Sequence, residues 1–278
     1  RCLVGSEMCI RDSLEAALCA GICSVGADAV TLGVVPTPAV AYLVRAQHAD
    51  AGIMISASHN SVEFNGIKLF SATGYKLPDA VEAEIEALIL DTPEKIALKS
   101  HKEVGSMHAY ETAKEDYISY LASTISTPLT GLKLALDCAN GSASATAQAL
   151  FEKLGATVHM LSDQPNGLNI NDHCGSTHME QLMQYVKTHD CDAGLAFDGD
   201  ADRMLAVDEC GEVVDGDQLM SICGNYMKQK GTLKKNTIVA TVMSNLGMFL
   251  MGEREGIHIE KTKVGDRYVP VSYTHLTL

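Results

Sequence analysis

The chain has 278 residues, 46% of them apolar, and a net charge of −14. That length admits one large domain or two to three smaller ones with sizeable cores. The acidity argues against a polyanion-binding protein, which needs basic patches, but leaves room for small phosphorylated ligands held by a few placed cations.

In chain order, residues 1–13 show neither helical nor strand periodicity and lack a signal peptide's apolar core. They and residues 270–278 resemble translated linker sequence, so both segments are expected to be non-native and are left out of the fold assignment. Leu14, Ala17, Leu18, Gly21, Ile22 and Val25 recur at helical spacing, which predicts a helix over 14–26. A β-branched run over 29–35 predicts a buried strand, and Thr37-Pro38 opens a second helix. Short strands are expected over 51–56 and 67–71, and a surface helix over 78–90. Residues 92–105 are charged and aperiodic, and a long linking helix is expected over 108–125.

A second alternating series follows. Strands are predicted over 132–137, 157–161 and 193–198, and helices over 142–154, capped by Gly155, and over 178–188. Residues 203–214 alternate around Gly211 as a β-hairpin. A third series places helices over 218–229 and 246–255 and strands over 237–243 and 257–264. Alternating strands and helices indicate α/β architecture, as successive domains with mixed, mostly parallel sheets.

No run approaches the roughly 18 apolar residues of a membrane span. Nine cysteines (Cys2, Cys9, Cys19, Cys23, Cys138, Cys174, Cys191, Cys210 and Cys223) form no C-x-x-C pair. Their odd number suits a reducing cytoplasm.

The strongest chemical signal is Asp198-Gly199-Asp200-Ala201-Asp202-Arg203. Three carboxylates at alternate positions repel one another, so a cation is their natural partner. On a straight strand they would stand roughly 6.5–7 Å apart, too far for one Mg²⁺ with oxygen ligands at about 2.0–2.1 Å. The segment must therefore curl, with Gly199 permitting it. A Ca²⁺-binding EF-hand is the rival reading, because Glu209 falls at loop position 12, but Arg203 stands where glycine is required and the flanks read as strands. An aspartyl-nucleophile phosphatase is a further alternative, although Asp202 breaks its D-x-D-x-T/V pattern.

A second signal is Ser56-Ala57-Ser58-His59-Asn60, directly after a predicted strand and closed by Asn65-Gly66-Ile67-Lys68. Ser58 could carry a phosphoryl group, with Lys68 offsetting its charge and His59 orienting it. No G-x-S-x-G elbow accompanies the serine, which disfavours a serine hydrolase.

Together, S-A-S-H-N, N-G-I-K and D-G-D-A-D-R resemble the α-D-phosphohexomutase family over roughly residues 14–269. The softer stretches Leu136–Gly141, Asn166–Asn171, Met243–Gly247 and Val264–Val269 draw the resemblance toward its amino-sugar branch, with the mannose and glucose branches as the alternative. The resemblance implies a phosphohexomutase-type fold in four domains. Residues 14–112 would be part of domain I with the phosphoserine loop, 113–213 domain II with the metal loop, and 214–269 part of domain III. It further implies that Ser58 is the phosphoserine and that Asp198, Asp200, Asp202 and a phosphate oxygen on Ser58 hold Mg²⁺. His59, Lys68 and Arg203 would contact phosphate or move protons. The implied partners are a phosphorylated hexosamine and a sugar bisphosphate intermediate. The family's F-G-T-D-G-x-R-G and G-E-x-S-G-H segments and its fourth domain are absent, so this fragment is expected not to complete the reaction cycle. Ser61, Phe64 and Ala201 depart from the residues usual at their positions.

Overall fold

Strands and helices alternate through the computed structural model, which describes residues 1–7, 12–265, 268–270 and 272. The chain divides into two units, Arg1–Val213 and Val214–Leu278.

In the first unit, β1 (Cys2–Ser6), β2 (Ala29–Val34), β3 (Ala51–Ile55), β4 (Ile67–Ser71) and β5 (Met107–Ala109) form one sheet in the order β4-β3-β1-β2-β5. All neighbours are parallel except β3 and β4. Its helices are α1 (Asp12–Ser24), α2 (Thr37–Ala46), α3 (Asp79–Leu90) and α4 (Ala113–Ser123). Side chains alternate across the sheet. Leu3 and Met54 pack with Leu43 of α2 and Tyr117 of α4, while Val4, Ile53 and Ile55 pack with Cys19 of α1.

Two expectations are corrected here. The N-terminal segment does not stand outside the fold: β1 lies at the centre of the sheet, between β3 and β2. A strand covered on both faces carries no period-two alternation, so Leu3-Val4-Gly5 offers no pattern until its neighbours are known. Residues 8–11, like most of the 270–278 segment, lie outside the described residues. The helix expected over 108–125 is also shorter. Met107–Ala109 pairs with Ala29–Thr31 as an edge strand, and α4 starts at Ala113. The side chains of this edge strand are exposed, so no apolar period separates it from the helix that follows.

The same unit carries a second sheet of β6 (Lys133–Asp137), β7 (Thr157–Leu161), β8 (Ala193–Phe197), β9 (Met204–Val207) and β10 (Val213–Val214), in the order β10-β9-β8-β6-β7. β6 is parallel to β7 and β8, and β8 is antiparallel to β9. Gly211 turns the β9–β10 connection at φ 77. Helix α6 (Glu180–Thr188) sets Leu182 and Val186 on one face with Ala135 and Ala196. Helix α5 (Ala147–Lys153) covers the other face, where Ala147 and Phe151 meet Leu134 and Leu136. The helix expected over 142–154 is split, because a 3₁₀ turn over Ser142–Ala145 precedes α5. The Ser142 N–H and hydroxyl both donate to the Gly199 carbonyl, at 2.8 and 3.1 Å, which holds that turn to the acidic loop.

The second unit contains α7 (Gly216–Gln229), β11 (Thr237–Thr241), α8 (Leu246–Glu255) and β12 (His258–Thr262), with β11 and β12 parallel. A capping box between Asp215 and Gln218 starts α7. Among the described residues of this unit, Ala240, Met248 and Ile257 are the buried apolar ones. No helix among the described residues is long and apolar enough to cross a membrane.

Leu43 is fully buried between α2 and the first sheet. Leu43→Ala is expected to lower stability by about 2–5 kcal/mol, through lost burial and the cavity left behind. A urea titration should show this as an earlier midpoint with an unchanged slope. A loss below about 1 kcal/mol would contradict the packing.

Candidate active site

The chemistry-bearing residues gather at the carboxyl ends of the strands, the usual ligand edge of an α/β sheet. Glu7 follows β1, Thr37 opens α2 after β2, and the Ser58 loop follows β3. Lys68 pairs with Met54 near the start of antiparallel β4, which brings it to the same edge. From the second sheet, Asp198 follows β8 directly. The two sheets meet through these loops. The Ser58 hydroxyl donates to Asp198 Oδ2 at 2.9 Å. The Thr37 hydroxyl donates to Asp200 Oδ2, and the Thr37 N–H donates to the Asp200 carbonyl at 2.9 Å. Lys68 Nζ donates to Asp200 Oδ2 at 2.5 Å and to Asp202 Oδ2 at 2.8 Å.

The acidic loop does curl, although not where expected. The left-handed residue is Ala201, at φ 53, and Gly199 keeps a negative φ. Gly199 is needed instead for close approach, since a Cβ there would stand 2.5 Å from the Ser58 carbonyl oxygen. The curl sets one carboxylate oxygen from each of Asp198, Asp200 and Asp202 within 4.8 Å of the others. Opposite ligands of Mg²⁺ stand about 4.1 Å apart, and those of Ca²⁺ about 4.6–5.2 Å. Asp198 and Asp200 are 0% exposed, and Asp200 Oδ1 is buried without a hydrogen-bond partner among the described residues. A buried carboxylate oxygen left unpaired costs several kcal/mol unless a cation meets it. Three carboxylates with one orphaned oxygen therefore fit a hard divalent metal ion.

Electrostatics agree. Burial, and then the charges of Asp200 and Asp202, push the Asp198 carboxyl above its usual range, against the opposing hydrogen bonds from Ser58 and Arg203. For Lys68, burial works to lower the pKa, but the pull of Asp200 and Asp202 outweighs it and holds the ammonium above its ordinary value. Lys68 is thus a fixed positive charge in this arrangement.

Not every residue singled out in the sequence joins the cluster. Arg203 binds by its backbone N–H to Asp198 Oδ1 at 3.2 Å, but its side chain is 56% exposed, with Nε 3.8 Å from Asp198 and 3.7 Å from Asp202. His59 is exposed and makes no hydrogen bond to the described residues. Phe64 is also exposed on the Ser58 loop, and nothing in the structure explains it. The Ca²⁺-binding reading over Asp198–Glu209 is not favoured, because the loop is flanked by β8 and β9 where an EF-hand requires helices.

Three residues escape sequence reasoning. Thr37 reads as a helix start only. Glu7 is 1% exposed and accepts the Ser56 hydroxyl and the Ala57 N–H (3.1 Å), but it lies in the segment whose sequence reads as non-native. Asn171 donates from Nδ2 to the Ser58 and Asn60 carbonyls, both at 2.9 Å. Its stretch, Asn166–Asn171, stands out in the sequence for its family resemblance but suggests no role for Asn171.

Two α/β sheets joined by a serine loop and an acidic metal loop define a phosphohexomutase fold. Three successive family signatures match the chain: Phosphoglucomutase/phosphomannomutase alpha/beta/alpha domain I over residues 11–95, domain II over 115–211 and domain III over 215–272. The chain belongs to the phosphoglucomutase/phosphomannomutase family. Among characterised relatives it is similar to phosphoglucosamine mutase of Acetivibrio thermocellus, 56% identical over 268 residues. It is 57% identical over the same length to phosphoglucosamine mutase of Clostridium acetobutylicum. In both cases the match covers 96% of this chain but only 60% of the relative's length. The fold also resembles a phosphoglucomutase/phosphomannomutase family protein of Burkholderia thailandensis, with TM-score 0.84 and 24% identity over 99% of this chain and 60% of that one. Aspergillus fumigatus N-acetylphosphoglucosamine mutase, solved in complex with GlcNAc-6P and magnesium, aligns with TM-score 0.62 at 19% identity, over 92% of this chain and 62% of that one.

Titration calorimetry should detect one divalent-ion site. Asp200→Asn is expected to weaken binding at least tenfold, as one buried anionic ligand is lost; unchanged affinity would count against the site. A pH effect should accompany it. A carboxyl whose folded pKa is raised favours the protonated fold, so its stabilising share is present at low pH and is lost as pH rises through the folded value. In the presence of chelator, Asp198→Asn should therefore gain stability relative to the native chain as pH rises through and just above the carboxylate range. A pH-independent difference between the two melting curves would contradict this.

Proposed function

We propose that this chain carries the phosphoryl-transfer centre of a phosphoglucosamine mutase, which interconverts glucosamine 6-phosphate and glucosamine 1-phosphate. The observation that carries the reading is Ser58 Oγ bonded to Asp198 at the mouth of an acidic loop whose Asp200 Oδ1 lacks a partner. The 56–57% identity to phosphoglucosamine mutases supports the amino-sugar substrate over a mannose or glucose phosphate. The chain spans about 60% of those relatives' length, so the full interconversion is proposed for the whole protein.

In this reading Ser58 is the phosphoserine. The P–O bond to Ser58 Oγ breaks as a bond to a sugar hydroxyl oxygen forms; the hydroxyl gives up its proton, Ser58 Oγ takes one up to become a hydroxyl again, and the product is a sugar bisphosphate. After this intermediate reorients, its other phosphoryl group returns to Ser58. Asp198, Asp200 and Asp202, with a phosphate oxygen on Ser58, would hold Mg²⁺, which supplies neutralisation of the charge spread over the transferred group. Lys68, kept as an ammonium, adds fixed positive charge beside the same oxygens. His59, exposed on the serine loop, is free to orient phosphate or take the sugar hydroxyl's proton, and Arg203 can swing its exposed guanidinium onto phosphate. We place the protein in the cytoplasm. Its buried thiols include Cys174, whose pKa burial pushes up to about 11, so they pack as small apolar groups and need no oxidising compartment.

Incubation with a sugar bisphosphate carrying labelled phosphate should place label on Ser58, as read by peptide mass spectrometry. Ser58→Ala should abolish it. Label on Asp198 or Asp200 would instead indicate an aspartyl-phosphate enzyme and sink the proposal.

A further inference from the structure

The Ser58 loop belongs to the first sheet, whereas the acidic loop that faces it belongs to the second. Their mutual placement must persist while Ser58 alternates between hydroxyl and phosphate. The direct side-chain bond cannot supply that persistence. The Ser58 hydroxyl donates to Asp198 Oδ2, and a phosphorylated Oγ has no hydrogen to donate. Phosphorylation also sets a dianion against a buried carboxylate.

Asn171 makes a different kind of tie. It lies in the segment between β7 and β8 of the second sheet and is 8% exposed. Its own N–H donates to the Ala139 carbonyl at 2.9 Å, which anchors it to the turn after β6. Both hydrogens of its single amide nitrogen are directed at the serine loop, to the Ser58 and Asn60 carbonyls at 2.9 Å each. The acceptors are backbone atoms. The bonds are therefore indifferent to what Ser58 Oγ carries. Ser58 and Asn171 both adopt left-handed backbone, at φ 58 and φ 56, a conformation that surrounding contacts must hold for a serine. Gly199 packs against the same Ser58 carbonyl, where a Cβ would stand 2.5 Å away.

We infer that Asn171 is the positioning residue that clasps the phosphoserine loop to the second sheet, beside the acidic loop, in both phosphorylation states of Ser58. The statement about two states rests on the mutase reading; the clasp itself does not. Asn171 touches neither substrate nor metal in this assignment. It acts through the backbone of Ser58.

The test separates the two ties without requiring activity. Asn171→Gly removes the amide while keeping a residue at ease with left-handed φ. Ser58→Ala removes the hydroxyl bond to Asp198. Backbone hydrogen exchange over residues 57–65 is compared in the native chain, both single variants and the double variant. Asn171→Gly should raise exchange in that loop roughly tenfold, as two hydrogen bonds are lost, whether Ser58 is intact or replaced in the double variant. Strands β6 to β8 should keep their protection, which shows that the second sheet itself is intact. Ser58→Ala alone should raise loop exchange far less. Equal protection of the loop in Asn171→Gly and the native chain would overturn the clasp, as would a Ser58→Ala effect as large as that of Asn171→Gly. Loss of protection throughout β6 to β8 would assign Asn171 to the stability of its own sheet and likewise overturn it. Labelling of Ser58 by sugar bisphosphate, if present in the native chain, should slow about tenfold in Asn171→Gly at saturating metal. Absence of labelling in the native chain bears on the mutase reading and leaves the exchange result standing.

Discussion

Mutual repulsion among Asp198, Asp200 and Asp202 governs the arrangement of this molecule. Three carboxylates converge within 4.8 Å, two of them removed from water. Such a cluster is stable only against positive charge and donated hydrogens. The chain supplies these from its other sheet: the Lys68 ammonium, the Thr37 hydroxyl and N–H, and the Ser58 hydroxyl. Among the described residues these contacts leave Asp200 Oδ1 unsatisfied, which suits the site to a cation. The carboxylates suited to a divalent ion are thus also what ties the first sheet to the second.

That tie explains why α2 matters to a site it does not flank in sequence. Thr37 begins α2, and its N–H points along the helix axis toward Asp200. The positive end of the helix dipole thus faces the acidic loop, where it favours negative charge. Leu43, Val40 and Val44, on the buried side of the same helix, fix it against the first sheet. Core packing is in this way converted into a fixed position for a ligand-bearing carboxylate. Ser142 does the same from the second sheet by holding the Gly199 carbonyl, and the 3₁₀ turn before α5 is the local result.

Much of this was legible in the sequence, for identifiable reasons. Alternating apolar runs and helical periods locate β2, β3, β6 to β8 and the helices between them, because one strong local pattern suffices for each. Ser58, Lys68 and the three aspartates stand out because their residue types and spacing make chemical sense only together. The failures share one cause, dependence on distant partners. β1 is a strand because β2 and β3 flank it, and β5 because β2 pairs with it. Gly199 looks like a turn residue, but it is required by the approach of the Ser58 carbonyl from another sheet. Glu7 and Thr37 carry no motif, Asn171 lies in a stretch that suggests no role for it, and each takes its role from a contact 49 or more positions away.

The Glu7–Ser56 contact has a further meaning for how the chain assembles. Ser58 and Asp198 are 140 positions apart, whereas Ser56 and Glu7 are 49 apart. A ribosome adding about 5–20 residues per second exposes the serine loop many seconds before β8 exists. Throughout that interval the segments already made, β1 to β3, can shape the loop by themselves: Glu7 accepts the Ser56 hydroxyl and the Ala57 N–H, and Ser56 in turn accepts the Ser58 N–H at 2.8 Å. The serine loop can thus be moulded before its electrostatic partners are made, and the late, long-range step of folding becomes the docking of two finished surfaces.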